Sequence, residues 1–416
     1  VHVDVEVDTG AVAERVRAFY ERHPYPPPVD GLDGYRRAWQ DPGRRRADHH
    51  LIWPARPYAQ AETASVLVAG CGTSQAAKHA MRRPRARVTG IDFSATSVRH
   101  TEELKRRYDL RNLEVHQLAV ERARELGATF DQIVCTGVLH HLADPDAGLA
   151  ALRDVLAPDG AIHLMVYAPY GRTGIYMLQD LCRRLGLEAS PGDIGDLVSF
   201  LEVVPRDHPL VPLLRTAPDF HEDSALADAL LHPRDRAYSV PQLFELLGRA
   251  ELTFGRWLHQ APYSPRCGAM DRLADGARAR VADLPPFEQY AAVELLRGTM
   301  VRHSLVAYRD AARSAAQRID FTGGAWRDHV PIRVPTAVCI RERLPPGAAA
   351  VLINTGHAPH TDIALPIDAS ELRSFEAIDG ARTAGEIART HGSIDRAGAF
   401  FERLYQHDQV VFDASG

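Results

Sequence analysis

Between residues 65 and 167 short apolar runs alternate with helix-patterned segments, and this rhythm restricts the fold more than any other feature of the chain. Runs at 66–69, 88–91, 113–116, 132–135 and 161–166 read as strands, while 97–107 and 147–156 carry helical periodicity. Strand and helix in regular alternation predict a doubly wound α/β fold, with a mainly parallel sheet covered by helices on both faces. Ligands of such sheets bind beyond the carboxyl ends of the strands, near the switch in strand order.

The flanks read differently. Residues 11–22 form a helical pattern with Val12, Val16, Phe19 and Tyr20 on one face, and it stops at His23-Pro24-Tyr25-Pro26-Pro27-Pro28 because proline cannot continue the helical ladder. An N-terminal lid over 1–60 is expected, then a core over 61–310 with a helical insert at about 170–250, and a separate module over 331–416. Strand-like runs at 252–258 and 304–308 complete the core. The tail holds a strand at 349–353, helices near 371–378 and 383–389, and a last helix and strand.

With 416 residues, 45% hydrophobic and 25% charged, the composition is that of a folded multi-domain protein. A net charge of −5 gives no reason to expect a nucleic acid or an anionic membrane. Five scattered cysteines without a CxxC pair suggest neither a disulfide framework nor a zinc knuckle. The start, VHVDVEVDTG, does not resemble a signal peptide, and no apolar run reaches bilayer length. A cytoplasmic location is therefore expected.

"SVLVAGCGTSQ" (65–75) is an apolar strand running into Gly70-Cys71-Gly72, where glycines let the backbone turn tightly and approach a ligand. The third glycine of a dinucleotide fingerprint is replaced by Gln75, which weakens an NAD reading. Asp92 ends the next strand in "TGIDFS", a position from which an acid can accept both ribose hydroxyls of a nucleoside.

Taken in order, "VLVAGCGTSQ", "VTGIDFS", "FDQIVCTGVLHHLADP" and "VLAPDGAIHL" resemble the class I S-adenosylmethionine-dependent methyltransferases. The resemblance covers about 65–167 and implies a Rossmann-like core that binds S-adenosylmethionine. It implies that Gly70, Cys71 and Gly72 line the methionine moiety, with Gln75 beside them; that Asp92 holds the ribose; and that Phe93 flanks the adenine. Leu118 and Ala119 match the loop at the adenine edge, where "HQLAVE" offers no acid directly and leaves backbone or Gln117. Thr136, Gly137 and Val138 would pass under the methyl-donor end. The start "FYERHPYP", with Tyr20 and Tyr25, is similar to a bacterial group with a Tyr-x-x-x-Pro-Tyr-Pro N-terminus, and the tail resembles winged-helix modules that bind leader peptides. Eight arginines against eleven acids in 331–416 favour an interaction or dimerisation module over a DNA reader.

The groups available for chemistry are His140, His141, Tyr25 and Tyr170. The two histidines follow the fourth strand; in extended chain they would point to opposite sides. One of them bounds the cofactor pocket by packing, or acts as general base. Metal ligation with His221 or His259 is the weaker alternative, since no HxH or HxxxH spacing supports it, and no metal is expected. Tyr20 and Tyr25 either cap an apolar face or fold over the cofactor; Tyr167, Tyr170 and Arg172 follow the fifth strand, where Arg172 can bind an anion. His221, Glu222 and Asp223 are either a solvated loop or a lid. The expected reaction is methyl transfer to a nitrogen, oxygen or carbon of a metabolite, in a biosynthetic pathway. The alternatives are a peptide or protein acceptor docked on the tail, a cofactor-binding sensor, and a non-methylating use of the cofactor. A small-molecule partner is expected first and a peptide second, with a homodimer allowed.

Overall fold

The computed structural model describes residues 9–216, 220, 222–391 and 394–416. His221 lies outside them. Seven strands form one sheet: β1 (Ser65–Ala69), β2 (Arg87–Asp92), β3 (Leu113–Gln117), β4 (Phe130–Thr136), β5 (Leu156–Tyr167), β6 (Thr253–Trp257) and β7 (Arg302–Tyr308), in the order β3-β2-β1-β4-β5-β7-β6. β1 pairs parallel with β2 on one side and with β4 on the other, while β6 and β7 are antiparallel. The chain thus winds one way from β1 and then the other, and the carboxyl ends of β1 and β4 open a crevice at the switch. This is the Rossmann-like arrangement expected from the alternation.

The central strands are apolar because both faces are covered. Val66, Leu67, Ile133 and Ile162 are buried completely, each worth roughly 1.5–3 kcal/mol relative to exposure. β5 starts at Leu156, earlier than the apolar run suggests, because Leu156 pairs with Phe130 before a shift in register.

Contacts divide the chain into two compact units. Of the described residues, the first comprises those within 9–33, 65–251 and 298–303. Its N-terminal helix Thr9–Arg22 buries Val12, Val16 and Phe19. The insert is helical as expected, with Thr173–Leu185, Pro191–Glu202, Val211–Thr216 and Asp223–Leu230 packed around Ile175, Leu178, Leu197, Leu210 and Leu226.

The second unit comprises 34–64, 252–297 and 304–416. Here β8 (Val330–Arg333) pairs with β12 (Val410–Asp413), and β9 (Ala337–Ile340), β10 (Ala350–Asn354) and β11 (Leu365–Ile367) form an antiparallel sheet in the order β11-β10-β9. Helices Ala369–Glu376, Ala384–His391 and Ile394–Gln406 lie around a core that includes Trp326, Leu352, Phe375, Phe401 and Phe412. The helix Pro42–Ile52 belongs to the same unit and meets β12 through Ala47 and Val411, with Arg46 and His50 reaching Asp413 at 3.3 and 3.2 Å. Among the described residues no helix is long and apolar enough to cross a membrane.

Candidate active site

The glycine loop leaves β1 in a conformation open to few residues. Gly70 and Gly72 have φ of +66° and +52°, the left-handed region that penalises a side chain. A Cβ on Gly70 would stand 2.3 Å from Cγ2 of Val138. The loop is tied to β2 by Cys71 N–H donating to the Ile91 carbonyl at 2.9 Å and by Gly72 N–H donating to Asp92 Oδ2 at 2.9 Å. Ser94 N–H donates to Asp92 Oδ1, also at 2.9 Å. Each carboxylate oxygen therefore keeps a lone pair for a further donor. Burial pushes Asp92 up to about 6, against the pull of these backbone donors.

A strap closes over this loop. The hydroxyl of Thr73 donates to the Pro26 carbonyl at 2.8 Å, and a Cβ on Gly72 would sit 3.3 Å from the Pro26 ring. Just before the strap, Glu21 accepts from the N–H of Ala95 at 2.6 Å and from the Thr96 hydroxyl at 2.6 Å. The end of the N-terminal helix is thus fixed to the start of the helix after β2, where an acid also suits the helix dipole.

Beyond the end of β4 the chain makes a short 3-10 turn, Leu139–His141, rather than continuing extended. The rings of His140 and His141 consequently lie 4.2 Å apart instead of on opposite sides. His141 Nδ1 is 2.8 Å from the Arg234 carbonyl; a carbonyl only accepts, so Nδ1 carries the proton and Nε2 a lone pair. His232 shows the reverse: its Nδ1 accepts the Arg234 N–H at 3.0 Å, which puts its proton on Nε2. Asp228 completes the group, accepting the Tyr20 hydroxyl at 3.0 Å and the Tyr167 hydroxyl at 3.3 Å. One ring nitrogen each of His141 and His232 and one Asp228 oxygen lie within 4.8 Å of one another. With the His232 lone pair already used, this set suits proton handling better than metal ligation.

Burial sets the charge states. It raises Asp228 from its ordinary value and raises Tyr20 and Tyr167 well above the ordinary phenol value, so both tyrosines are hydrogen-bond donors. It lowers His232 and His140 well below the ordinary imidazole value and keeps them neutral. Arg172 is buried; it pairs with Asp235 at 2.8 Å and stacks 3.5 Å above the Tyr167 ring, so its guanidinium is already engaged.

These elements enclose one cavity of about 420 Å³. Gly70, Gly72, Asp92, Phe93, Ala119 and Gly137 line one part; Met165, Ile175, Leu213, Ala225 and Val301 line another, with Tyr20, Tyr167, Asp228 and His141 among them. The sequence of residues 67–162 matches the methyltransferase domain family. An uncharacterized protein of Synechococcus is 33% identical over 300 residues, 69% of either chain. The chain belongs to the class I S-adenosylmethionine-dependent methyltransferases. A ubiquinone biosynthesis O-methyltransferase of Actinobacillus pleuropneumoniae is 28% identical over 185 residues, which is 42% of this methyltransferase and 77% of that protein. The structure of PKMT2 from Rickettsia typhi has the same fold, with a TM-score of 0.61 at 15% identity over 90% of this chain and 75% of its own. Its complex with AdoHcy aligns with a TM-score of 0.59. The cofactor of this methyltransferase is S-adenosylmethionine.

Of the residues singled out in the sequence, Tyr20, Tyr25, Gly70, Gly72, Gln75, Asp92, Phe93, Ala119, Thr136, Gly137 and His141 line the cavity. Cys71, Leu118, His140 and Tyr170 are not in that lining. Cys71 is buried, with its sulfur toward Gly90, and His140 is fully buried against the Tyr167 ring with neither ring nitrogen hydrogen-bonded. Tyr170 is 39% exposed. In the loop expected to meet the adenine, Gln117 donates to the Phe93 carbonyl, and it is Glu121 that lines the cavity, an acid the expectation for "HQLAVE" left out. Asp228 and His232 were missed altogether. The signal for Asp228 was a lone acid amid buried apolar positions of Asp223–Leu230.

Proposed function

We propose that this methyltransferase transfers the methyl group to a hydroxyl or amine of a small, largely apolar metabolite in a biosynthetic pathway, with His141 Nε2 accepting the proton. The observation that carries the reading is the lone pair on His141 Nε2, fixed by donation from Nδ1 to the Arg234 carbonyl at 2.8 Å, in the wall of the cavity that also holds Gly70 and Asp92. S-adenosylmethionine supplies an activated methyl group whose leaving group departs as a neutral thioether.

The chain's own residues then have three tasks. Asp92 accepts the ribose hydroxyls, Glu121 the exocyclic amine of the adenine, and the glycine loop allows close approach of the backbone. Met165, Ile175, Leu213 and Val301 exclude water and hold the acceptor, where orientation is worth up to roughly 7–11 kcal/mol. His141 takes the acceptor's proton, and the nearby Asp228 carboxylate stabilises the imidazolium that forms. A cavity of about 420 Å³ that must also hold the cofactor suits a small acceptor. The O-methyltransferase relatives support an oxygen acceptor.

The test is release of S-adenosylhomocysteine with a panel of phenols, catechols and amines. With an accepted substrate, His141→Asn is expected to lower kcat roughly 10²–10⁴-fold while leaving cofactor affinity unchanged. An unchanged kcat would remove the base from the proposal.

A further inference from the structure

The second unit holds a histidine cluster that the methyl-transfer reaction does not use. Among the described residues, one ligand-capable atom each of His259, His357 and Asp408 lie within 4.8 Å of one another. Three separate segments meet here: the stretch following β6, the turn following β10, and the turn before β12. Their meeting is built in. Asn354 donates through its side chain to the Asp408 carbonyl at 2.6 Å and accepts the Gly356 N–H at 2.8 Å. The His259 ring lies so close to Gly356 that a Cβ there would stand 2.7 Å from its Cε1.

Proton placement separates this cluster from the one around His232. His357 Nε2 is 2.9 Å from Asp408 Oδ2. A carboxylate accepts, so Nε2 carries the proton and Nδ1 a lone pair. That Nδ1 is buried without a hydrogen-bond partner, on a residue only 2% exposed. Asp408 is kept in position by the Ala261 N–H at 3.0 Å and by Arg256 at 3.5 Å. A histidine whose far nitrogen donates to a carboxylate, with the near nitrogen bare, is the arrangement that orients imidazole toward a metal ion.

We propose that His357 Nδ1 and His259, with Asp408 behind His357, form a site for a divalent transition-metal ion of the zinc class. Imidazole nitrogen favours zinc, cobalt and nickel over magnesium or calcium. His259 is exposed and gives the ion a route from solvent, while His357 is the buried anchor.

Tag-free full-length protein dialysed against zinc sulfate and then metal-free buffer is expected to retain one zinc ion per chain. Cobalt in its place should give visible ligand-field bands. His259→Gln, at an exposed position, and His357→Gln should each weaken zinc binding at least tenfold, and Asp408→Asn by roughly 10–100-fold. His141→Gln, in the first unit, should leave it unchanged. Should His357→Gln fail to fold, His259→Gln decides alone. Absence of stoichiometric zinc, binding undiminished in His259→Gln, or loss of zinc in His141→Gln would each overturn the proposal.

Discussion

Gly72 N–H donates to Asp92 Oδ2 at 2.9 Å, which joins the turn after β1 to the end of β2 and presents both to the same cavity. Burial pushes Asp92 up to about 6, so in its proposed role, taking the ribose hydroxyls, it depends on pH within the range of ordinary assays. Binding through the ionised form is full above that value. Below it, each pH unit should weaken cofactor affinity by up to about tenfold, as one proton must first leave. Calorimetric titration with S-adenosylhomocysteine between pH 5 and 8 checks this. Asp92→Asn should flatten the profile and weaken binding throughout by about 1.5–3 kcal/mol, the range for hydrogen bonds to a charged group. In the cofactor-free chain the linkage has the opposite sign. The protonated form is the one burial favours, so this group's contribution to stability is lost as the pH rises from the ordinary carboxylate value of 3.8 to about 6, and stays level above that.

Gly70→Ala tests the turn itself. The substitution meets two obstacles, a φ of +66° and a contact of 2.3 Å with Val138 Cγ2. The first costs about 1–2 kcal/mol and the second about 1–3 kcal/mol. Urea unfolding should show their combined loss, together with weaker cofactor binding. Adding Val138→Ala should recover only the steric part, because the backbone conformation is untouched. Full recovery in the double variant would show that φ costs nothing here.

The Arg172–Asp235 pair, with side chains 7% and 1% exposed, is a buried ion pair. Gln179 adds a second donor to Asp235 at 3.0 Å. Arg172→Leu should destabilise the chain by about 3–5 kcal/mol because it strands a buried carboxylate. Arg172→Leu with Asp235→Leu should restore most of that loss. Thermal melts of the two variants give the comparison, and equal melting temperatures would contradict it.

The parts of this protein that were legible in its sequence are those whose signals are local. Alternation of apolar runs marks β1 to β5, because a strand covered on both faces must be apolar along its length. Gly70, Gly72 and Asp92 stand at fixed distances within one strand–turn–helix–strand unit, so chain spacing alone places them. Asp228 and His232 lie some 90 residues from His141 in the chain, and no spacing rule connects them; they meet because the segment around Arg234 is bonded to the backbone at Leu142 and Ala143. The turn at Leu139–His141 is hidden in the sequence for a related reason. An apolar run followed by two histidines looks extended, whereas Gly137, with φ of +78°, breaks the strand before them. The meeting of β12 with the helix Pro42–Ile52 also lacked a local sign, since it depends on Arg46 and His50 finding Asp413 far along the chain.

Tyr20 and Asp228 provide the last prediction. Burial raises the Asp228 carboxyl, while the proximity of His141 and the Tyr20 hydroxyl pull it back. Tyr20→Phe removes one of the two phenol donors, so the carboxyl rises further and ionises only at higher pH. If the charged carboxylate supports His141 as base, the variant should lose more activity at pH 6 than at pH 8 and approach wild-type kcat as the pH climbs. Asp228→Asn abolishes the charge at every pH and should remain slow across the whole range. Parallel kcat–pH profiles for Tyr20→Phe and wild type would mean that Asp228 serves the architecture of the cavity and not the proton transfer.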